Sequence, residues 1–162
     1  GTDIIGPANP DEDIITITKL DDQLAVLAVV GENLMKKQGI IAEIAQLVNA
    51  HNFIIYGIST GESSITLFFK YEDAIKAHEI LHQAIIEGDT FSSISLGQKI
   101  AMISLVSHDF IDTPGIIASI TKPLHENNIN IVELSSSQTA VVVFVDWENG
   151  EKAYKLIKET LV

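Results

Sequence analysis

The sequence predicts an α+β fold built from two similar units, and two observations support this prediction. The first is an internal repeat: with a shift of 76 positions, residues 30–83 align without a gap on residues 106–159. The second is the order of apolar patterns, in which short strand-like runs alternate with stretches of helical period. In the first copy this order is βαββαβ, which predicts a ferredoxin-like unit, an antiparallel sheet with two helices on one face.

The repeat covers positions that shape the backbone as well as positions that form the core. The segment Gly39–Ile44 aligns on Gly115–Ile120, and Asn52 aligns on Asn128. A match that runs without a gap through a turn glycine and two later strands is not expected by chance between unrelated αβ stretches. We therefore interpret the chain as two copies of one structural unit.

The first copy contains all six elements of the unit. In order, they are the strand Leu24–Val30, a helix that begins after the loop 31–38 and closes at Asn52, the strands Phe53–Ile58 and Ser64–Phe69 around the turn Gly61-Glu62, the helix Glu72–Ile86 and the strand Phe91–Leu96. The strands are apolar and β-branched, and the helices carry one apolar face each.

The second copy lacks its fourth strand. Its elements are the strand Ile100–Val106, a helix from Gly115, the strands Ile129–Leu134 and Val141–Val145, and the helix Asn149–Leu161. We expect a kink or an early end of the first of these helices at Pro123, which lacks a backbone donor.

A β-branched segment, Ile14–Leu20, precedes the first copy and has no partner within it. A sheet with a missing edge strand would leave backbone groups unpaired, so we expect this segment to complete the sheet of the second copy. The prediction is a linker over 1–12, a contiguous first domain over 24–96, and a split second domain made of 13–20 and 98–162. The two domains are then interlocked by an N-terminal strand.

Composition excludes several classes of function. Hydrophobic residues make up 46% of the chain and charged residues 20%, which is typical of a globular protein. The formal net charge of −12 argues against nucleic acid and anionic membranes as partners. The sequence contains no cysteine, no signal peptide pattern and no initiator Met, so we expect a cytoplasmic protein and a piece of a longer chain.

Two segments carry a resemblance to a known family. The loop Asp112-Thr113-Pro114-Gly115-Ile116 resembles the turn before the first helix of ACT domains. The stretch from Ile15 to Gly31 is similar to the entry into the regulatory region of aspartate kinases, where a strand precedes the first ACT domain and completes the second. The resemblance implies tandem ACT domains that sense an amino acid and regulate an attached kinase domain.

The resemblance also implies what the chain lacks. The Lys-Phe-Gly-Gly-Thr type motif of aspartate kinases does not occur in these 162 residues. We therefore expect no catalytic residues, no cofactor and no metal here, and we expect ATP and Mg to bind only in the kinase domain of a full-length chain. The alternative is a free-standing ACT sensor or the regulatory subunit of another biosynthetic enzyme, such as acetolactate synthase.

The resemblance implies effector-binding residues in both copies, because a helix N-terminus with free N–H groups suits a carboxylate. In the first copy they are Lys36, Lys37, Gln38, Gly39, Ile40 and Ile41, with Ile55, Tyr56, Thr60 and Glu62 opposite. In the second copy a possible site consists of Asp112, Thr113, Gly115, Ile116, Ile117 and Val132. The other interpretation of the two glycines is tight-turn geometry alone.

The implied effector is lysine or threonine. Lysine-sensing relatives hold the effector's amine with an Asp where this chain has Tyr56, and a phenol binds an ammonium more weakly than a carboxylate does. Glu62 remains available for that role. The resemblance also implies a homodimer formed through the ACT domains.

One motif points to a different function. His78-Glu79-Ile80-Leu81-His82 matches the H-E-x-x-H pattern of zinc metallopeptidases. The aligned helix of the other copy has no such residues, and no third ligand follows at the usual spacing, so we predict surface histidines. For Trp147, which aligns with Tyr71, we predict packing at a strand end.

Overall fold

The computed structural model describes residues 1–5, 15–32, 34, 38–88, 93–107 and 115–161. In chain order their strands and long helices are β1 (Thr2–Ile5), β2 (Ile15–Lys19), β3 (Leu24–Val30), α1 (Ile40–Ala50), β4 (Gly57–Thr60), β5 (Ser64–Lys70), α2 (Tyr71–Gly88), β6 (Ser93–Val106), α3 (Ile116–Glu126), β7 (Ile131–Ser136), β8 (Ala140–Asp146) and α4 (Gly150–Leu161). The chain divides into two compact units. Residues 23–99 are called the first unit, and residues 1–22 with 100–162 the second unit.

The first unit is an antiparallel sheet with two helices on one face. Strand β3 pairs with β5 along its whole length, β4 pairs with the other side of β5, and β6 is the neighbour of β3. Alternate residues of β3 are buried, as expected for a strand with one covered face. They form a single core with the apolar faces of α1 and α2: Ala25, Leu27, Val29, Ile40, Ile44, Val48, Ala74, Ala77 and Leu81.

The second unit has the same arrangement with different chain connections. Residues 100–106 of β6 lie between β2 and β8, and β7 pairs with the other side of β8. Helices α3 and α4 pack on a core that includes Ala101, Ile103, Leu105, Ile120, Leu124, Ala153 and Ile157. The predicted fold class is confirmed, including the N-terminal strand that completes this sheet: β2 pairs from Thr16↔Val106 to Lys19↔Ile103.

The backbone repeats as closely as the sequence does. Gly39 and Gly115 have φ of 81° and 84°, and Asn52 and Asn128 both have φ of 59°. Each pair is separated by the repeat shift of 76. Glycine and asparagine are the residues that adopt this left-handed region most readily, so both copies place them where a helix begins and where it has ended.

The N-terminus differs from the expected linker over 1–12. Residues 2–5 form strand β1, which pairs with β2 from Thr2↔Thr18 to Ile5↔Ile15. The backbone N–H of Lys19 also donates to the carbonyl of Gly1 at 2.9 Å. A four-residue strand gives a weak pattern, and its partner lies outside any local sequence window. The rest of the predicted linker, residues 6–12, lies outside the described residues.

Strand β6 differs from the predicted pair of strands at 91–96 and 100–106. It is continuous over 14 residues, Ser93–Val106, through Gly97. A Cβ on Gly97 would lie 2.5 Å from Cγ1 of Val26, so this glycine allows close packing against β3 and does not form a turn. The continuous strand passes from the first unit into the second along the chain. Residues 91 and 92 lie outside the described residues.

Of the kink or early end expected at Pro123, the early end does not occur in helix α3. It continues to Glu126, because Pro123 lies in the last turn and loses one backbone bond only. The carbonyl of Pro123 accepts two hydrogen bonds from Asn127, one from its backbone N–H at 3.2 Å and one from its side-chain Nδ2 at 2.8 Å. These bonds close the C-terminal end of the helix.

Two strands are shorter at their start than predicted. β4 begins at Gly57, not Phe53, and β7 begins at Ile131, not Ile129. Phe53 and Ile55 nevertheless pack against the first core, and Ile129 is buried in the second. The apolar residues there are buried in a connecting segment. An apolar pattern alone cannot distinguish such burial from pairing in a sheet.

Candidate functional site

The start of α1 presents an open helix N-terminus. Gly39 is the N-cap residue. Among the described residues, no side chain forms a capping hydrogen bond at this helix start. The first helical bond runs from the N–H of Glu43 to the carbonyl of Gly39 at 2.9 Å. The N–H groups of Ile40, Ile41 and Ala42 therefore have no intrahelical acceptor. Among the described residues a Cβ on Gly39 would find nothing within 4 Å, so they leave room for a ligand to approach the backbone here.

The side chains at this helix start contribute unequally. Ile40 is 2% exposed and belongs to the core, so it can offer a ligand its backbone N–H but not its side chain. Ile41 is 41% exposed, and Gln38 is also exposed. The predicted residues Lys36 and Lys37 lie outside the described residues. The arrangement suits an anion, because the helix dipole and three amide donors point to one place.

Thr60 and Glu62 lie at the end of the sheet from which the chain leaves β3 towards α1. Thr60 pairs with Ile65 at the end of β4, and the N–H of Gly31 donates to the carbonyl of Ser63 at 3.0 Å. The turn 61–63 is thus beside the start of the connection that leads to Gly39. Both Thr60 and Glu62 are exposed, so their polar groups are accessible.

Ile55 and Tyr56 lie just before the start of β4, at the end opposite Thr60. The N–H of Tyr56 donates to the carbonyl of Phe68 at 2.8 Å, and Phe68 pairs with Val26 in the middle of β3. At about 3.3 Å of rise per residue, Tyr56 is about 13 Å from Thr60 along the strand. One unit therefore brings Thr60 and Glu62 together with the β3–α1 connection, and it does not bring Ile55 and Tyr56 to the same place.

The second unit repeats the open helix start. Gly115 is the N-cap of α3, and the N–H of Ser119 donates to its carbonyl at 2.9 Å. Ile116 packs against the second core and Ile117 is 40% exposed. Val132 is half-buried and lies at an irregularity in the pairing of β7 with β8, between Ile131 and Glu133. The predicted residues Asp112 and Thr113 lie outside the described residues.

A groove of about 640 Å³ lies at the C-terminal end of α3, and the sequence gives no sign of it. It is lined by Thr121, Lys122, His125, Asn128, Ile129, Asn130 and Ile131. Eleven residues of helix separate the two ends of α3 by about 15 Å, so the groove is not part of the predicted site at Gly115. The backbone N–H donors that suit a carboxylate lie at the start of α3, not at the groove.

Two further polar contacts were also missed by sequence reasoning. The hydroxyl of Tyr154 donates to Asp3 Oδ2, and Lys158 Nζ lies 3.1 Å from the same oxygen. The Tyr154 hydrogen bond, followed by that from Lys158, holds the pKa of Asp3 below its ordinary value. Burial, together with the bond to Asp3, raises the pKa of Tyr154 to about 12. These contacts tie β1 to α4.

The second contact involves the buried Lys19 on β2. Its ammonium lies 4.6 Å from the ring centroid of Trp147 and 3.4 Å from Glu151 Oε1. In the first unit the ammonium of Lys99 similarly lies 4.8 Å from the ring of Tyr71. Trp147 also packs against the second core, as predicted for a residue at a strand end. A desolvated cation over an aromatic ring stabilises such a contact.

The H-E-x-x-H motif lies on α2. The rings of His78 and His82 are parallel, with centroids 5.9 Å apart. Over the part of the chain that the structure describes, no group of three or more His, Cys, Asp or Glu side chains could hold a metal ion. The geometry of a zinc metallopeptidase site is therefore not assembled by these residues.

Comparisons with known proteins agree with the fold and the repeat. Two family models described as ACT domain match the chain, one over residues 27–85 and the other over 95–159. The aspartokinase of Corynebacterium glutamicum is 23% identical over 156 residues, which is 92% of this chain and 36% of the relative. The chain thus spans about a third of the length of that relative.

Solved structures give the same result for the fold. The ligand-free regulatory subunit of aspartate kinase from Thermus thermophilus has a TM-score of 0.76 at 19% identity, covering 89% of this chain and 96% of that one. The E. coli aspartokinase III in complex with lysine and aspartate has a TM-score of 0.69 at 18% identity, covering 90% of this chain and 32% of that one.

The fold and the two open helix starts define a tandem module of the ferredoxin-like class. The chain belongs to the ACT domain family, with two ACT domains, and it is homologous to the aspartokinases. No helix among the described residues is long and apolar enough to cross a membrane.

Proposed function

We propose that the chain is the amino-acid-sensing regulatory part of an aspartate kinase, which controls aspartate-family biosynthesis by feedback. The observation that carries this proposal is the open N-terminus at Gly39, in a chain of two ACT domains of which the second is completed by strand β2. The homologous aspartokinases and the similar regulatory subunit of aspartate kinase support it. Catalysis, with ATP and Mg, then belongs to a kinase domain in the full-length, cytoplasmic protein.

We assign the effector's carboxylate to the N–H groups at the start of α1. Its amine or hydroxyl then reaches Thr60 and Glu62, which lie where the chain leaves β3. A carboxylate is a strong partner for an ammonium, so Glu62 favours an effector with a positively charged group. The lysine complex of the structurally similar E. coli aspartokinase III makes lysine the first effector to test, with threonine the second.

Ile55 and Tyr56 enter the site only if a second copy supplies them. Tyr56 lies about 13 Å along the chain from Thr60 and Ile55 one residue farther, which is too far for one amino acid to contact both ends. Strand β4 is an edge strand whose Ile58 is 46% exposed, and unprotected edges pair readily with another chain. The proposal therefore includes a homodimer through the ACT domains, in which β4 of the partner faces the helix start.

Calorimetric titration with lysine, threonine and methionine tests the sensing function. We expect saturable binding of lysine or threonine, with no heat from methionine. Gly39→Ala should abolish binding, because a side chain at φ of 81° strains the backbone and blocks the approach to the amides. The matched variant in the other copy is Gly115→Ala. Equal loss in both variants would contradict the assignment of the site to the first unit.

The role of Glu62 is tested separately. Glu62→Gln should weaken lysine binding by about ten-fold or more, since a charge-assisted bond is replaced by a neutral one. Glu148→Gln, an exposed carboxylate in the second unit, serves as the control. In the full-length enzyme, Glu62→Gln should reduce the sensitivity of the kinase to the effector, whereas Glu148→Gln should leave this sensitivity unchanged. A free-standing sensor would bind the effector without altering any kinase activity.

A further inference from the structure

Two histidines on α2 have no role in the effector site or in the core. His78 is half-buried and His82 is exposed, one helical turn apart. Their rings are parallel within 7°, and the ring centroids are 5.9 Å apart. Residues at i and i+4 lie on the same helix face, so both imidazoles project to the same side of α2. The first core uses other residues of this helix, Ala74, Ala77 and Leu81.

The internal repeat shows what this pair of positions does in the other copy. A shift of 76 places His78 on Tyr154 and His82 on Lys158. In α4 those two side chains hold Asp3 of strand β1, which pairs with β2 at the edge of the second sheet. The same helix positions thus contact an additional ligand group in the second unit, a carboxylate supplied by the chain itself.

The first unit does not supply that group within the described residues. Residues 93–99 of β6 have the place in the first sheet that β2 has in the second sheet. In the described part of the chain, these residues pair with β3. Residues 95–99 are exposed, whereas their counterparts in β2 are buried or half-buried. The His78–His82 pair therefore occupies helix positions whose counterparts in the second unit hold a partner group, and it offers two imidazole nitrogens in place of a phenol and an ammonium.

We propose that His78 and His82 form a two-imidazole site for a divalent transition metal ion, of the class Cu²⁺, Ni²⁺ or Zn²⁺. Imidazole nitrogen is a preferred ligand of these ions and binds Zn²⁺ at about 2.0–2.1 Å. Rotation of two parallel rings on one helix face brings a nitrogen from each to a shared ion. Mg²⁺ and Ca²⁺ prefer oxygen ligands and are not candidates.

The site is open towards solvent. Glu79 follows His78 in sequence but lies about 100° further around the helix, and its carboxylate lies 3.9 Å from Lys76 Nζ. No further His, Cys, Asp or Glu joins the pair among the residues that the structure describes. Water completes the coordination, and the bound ion remains accessible to an external donor. The proposal does not depend on the amino-acid effector, because the residues of the two sites lie on different elements.

Titration calorimetry of the intact chain with Cu²⁺, Ni²⁺ and Zn²⁺ tests the site. We expect one ion per chain at this site, and Cu²⁺ should bind most tightly, as its position in the divalent series predicts. His78→Gln and His82→Gln should each weaken Cu²⁺ binding by about ten-fold or more, because the second imidazole acts at high effective concentration. Electron paramagnetic resonance of the Cu²⁺ complex should show two nitrogen ligands in the parent and fewer in each variant.

Three controls distinguish the pair from general binding to an acidic protein. The double variant His82→Gln with Gln83→His keeps the number of histidines but moves one to i+5, off the shared face, and should lose the tight site. His125→Gln should bind as the parent does. Excess Mg²⁺ should not displace Cu²⁺. Unchanged Cu²⁺ affinity in His78→Gln and His82→Gln, or displacement by Mg²⁺, would overturn the proposal, and thermal melts without metal confirm that each variant is folded.

Discussion

Asp3 links strand β1 to helix α4 through contacts with two side chains. The Tyr154 hydroxyl donates to its carboxylate, and Lys158 lies 3.1 Å from the same oxygen while its ammonium lies 4.6 Å from the Tyr154 ring. The pKa of Asp3 is lowered, so its contribution to stability is fully present above the ordinary value of 3.8 and is lost as the pH falls through the lower folded value. The pKa of Tyr154 is raised, so its contribution is present below pH 10 and is lost as the pH rises through about 12.

The titration of Tyr154 provides a test of this contact. The chain has three tyrosines, and we expect one of them to ionise with a pKa of about 12 in a spectrophotometric titration of the folded protein. Asp3→Asn should lower this pKa, since it removes the negative charge beside the phenol. The pKa should stay above 10, because burial is the larger cause of the shift. Tyr154→Phe assigns the transition, and a late transition that is unaffected by Asp3→Asn would contradict the contact.

At the level of the elements, β2 and residues 93–99 of β6 have the same place in their sheets but not the same burial. Ile17 of β2 is fully buried in the second core, whereas Ile94 of β6 is half-buried against the first. The added strand β1 and helix α4 cover β2. Residues 93–99 have no such cover among the described strands. The second unit therefore depends more strongly on its inserted strand than the first unit does on its fourth strand.

Substitution of the two isoleucines measures this difference. Ile17→Ala should lower the free energy of unfolding of the second unit by about 2–5 kcal/mol, the usual cost of truncating a fully buried isoleucine. Ile94→Ala should cost the first unit less, since much of its side chain already contacts water. Denaturant unfolding followed by Trp147 fluorescence reports the second unit, and amide exchange reports the first. Equal effects of the two substitutions would show that β2 is not a buried strand of the second sheet.

The sequence predicts elements with strong periodicity well and fails where tertiary contacts decide. The helix-start glycines at 39 and 115 follow from pattern because local geometry requires them, and the completing strand follows from the missing edge of the second copy. The continuity of β6 through Gly97 depends on Val26, a residue 71 positions away in sequence. Strand β1 depends on β2 in the same way. The resemblance places Tyr56 and Glu62 in one site, and within a single copy the rise of the strand sets these two residues apart.

For the whole molecule, the separation of the predicted site residues leads to a prediction about assembly. The amides of Ile40, Ile41 and Ala42 and the turn 61–63 belong to one end of the first unit, and Tyr56 belongs to the other. If effector binds where two copies meet, its binding and dimerisation are linked, and each strengthens the other by the same factor. Binding by a single copy would give no such dependence on protein concentration.

Hydrogen exchange with and without a saturating effector separates these cases. We expect effector-dependent protection at residues 40–42 and 61–63, because the ligand accepts from or covers these amides. Protection should extend to residues 55–56 at protein concentrations that favour the dimer and should fade on dilution. The groove at His125 serves as the internal control and should exchange at the same rate in both states. Protection at residues 55–56 that persists in the monomer would place the whole site within one copy, and no protection at residues 40–42 would contradict carboxylate binding at the start of α1.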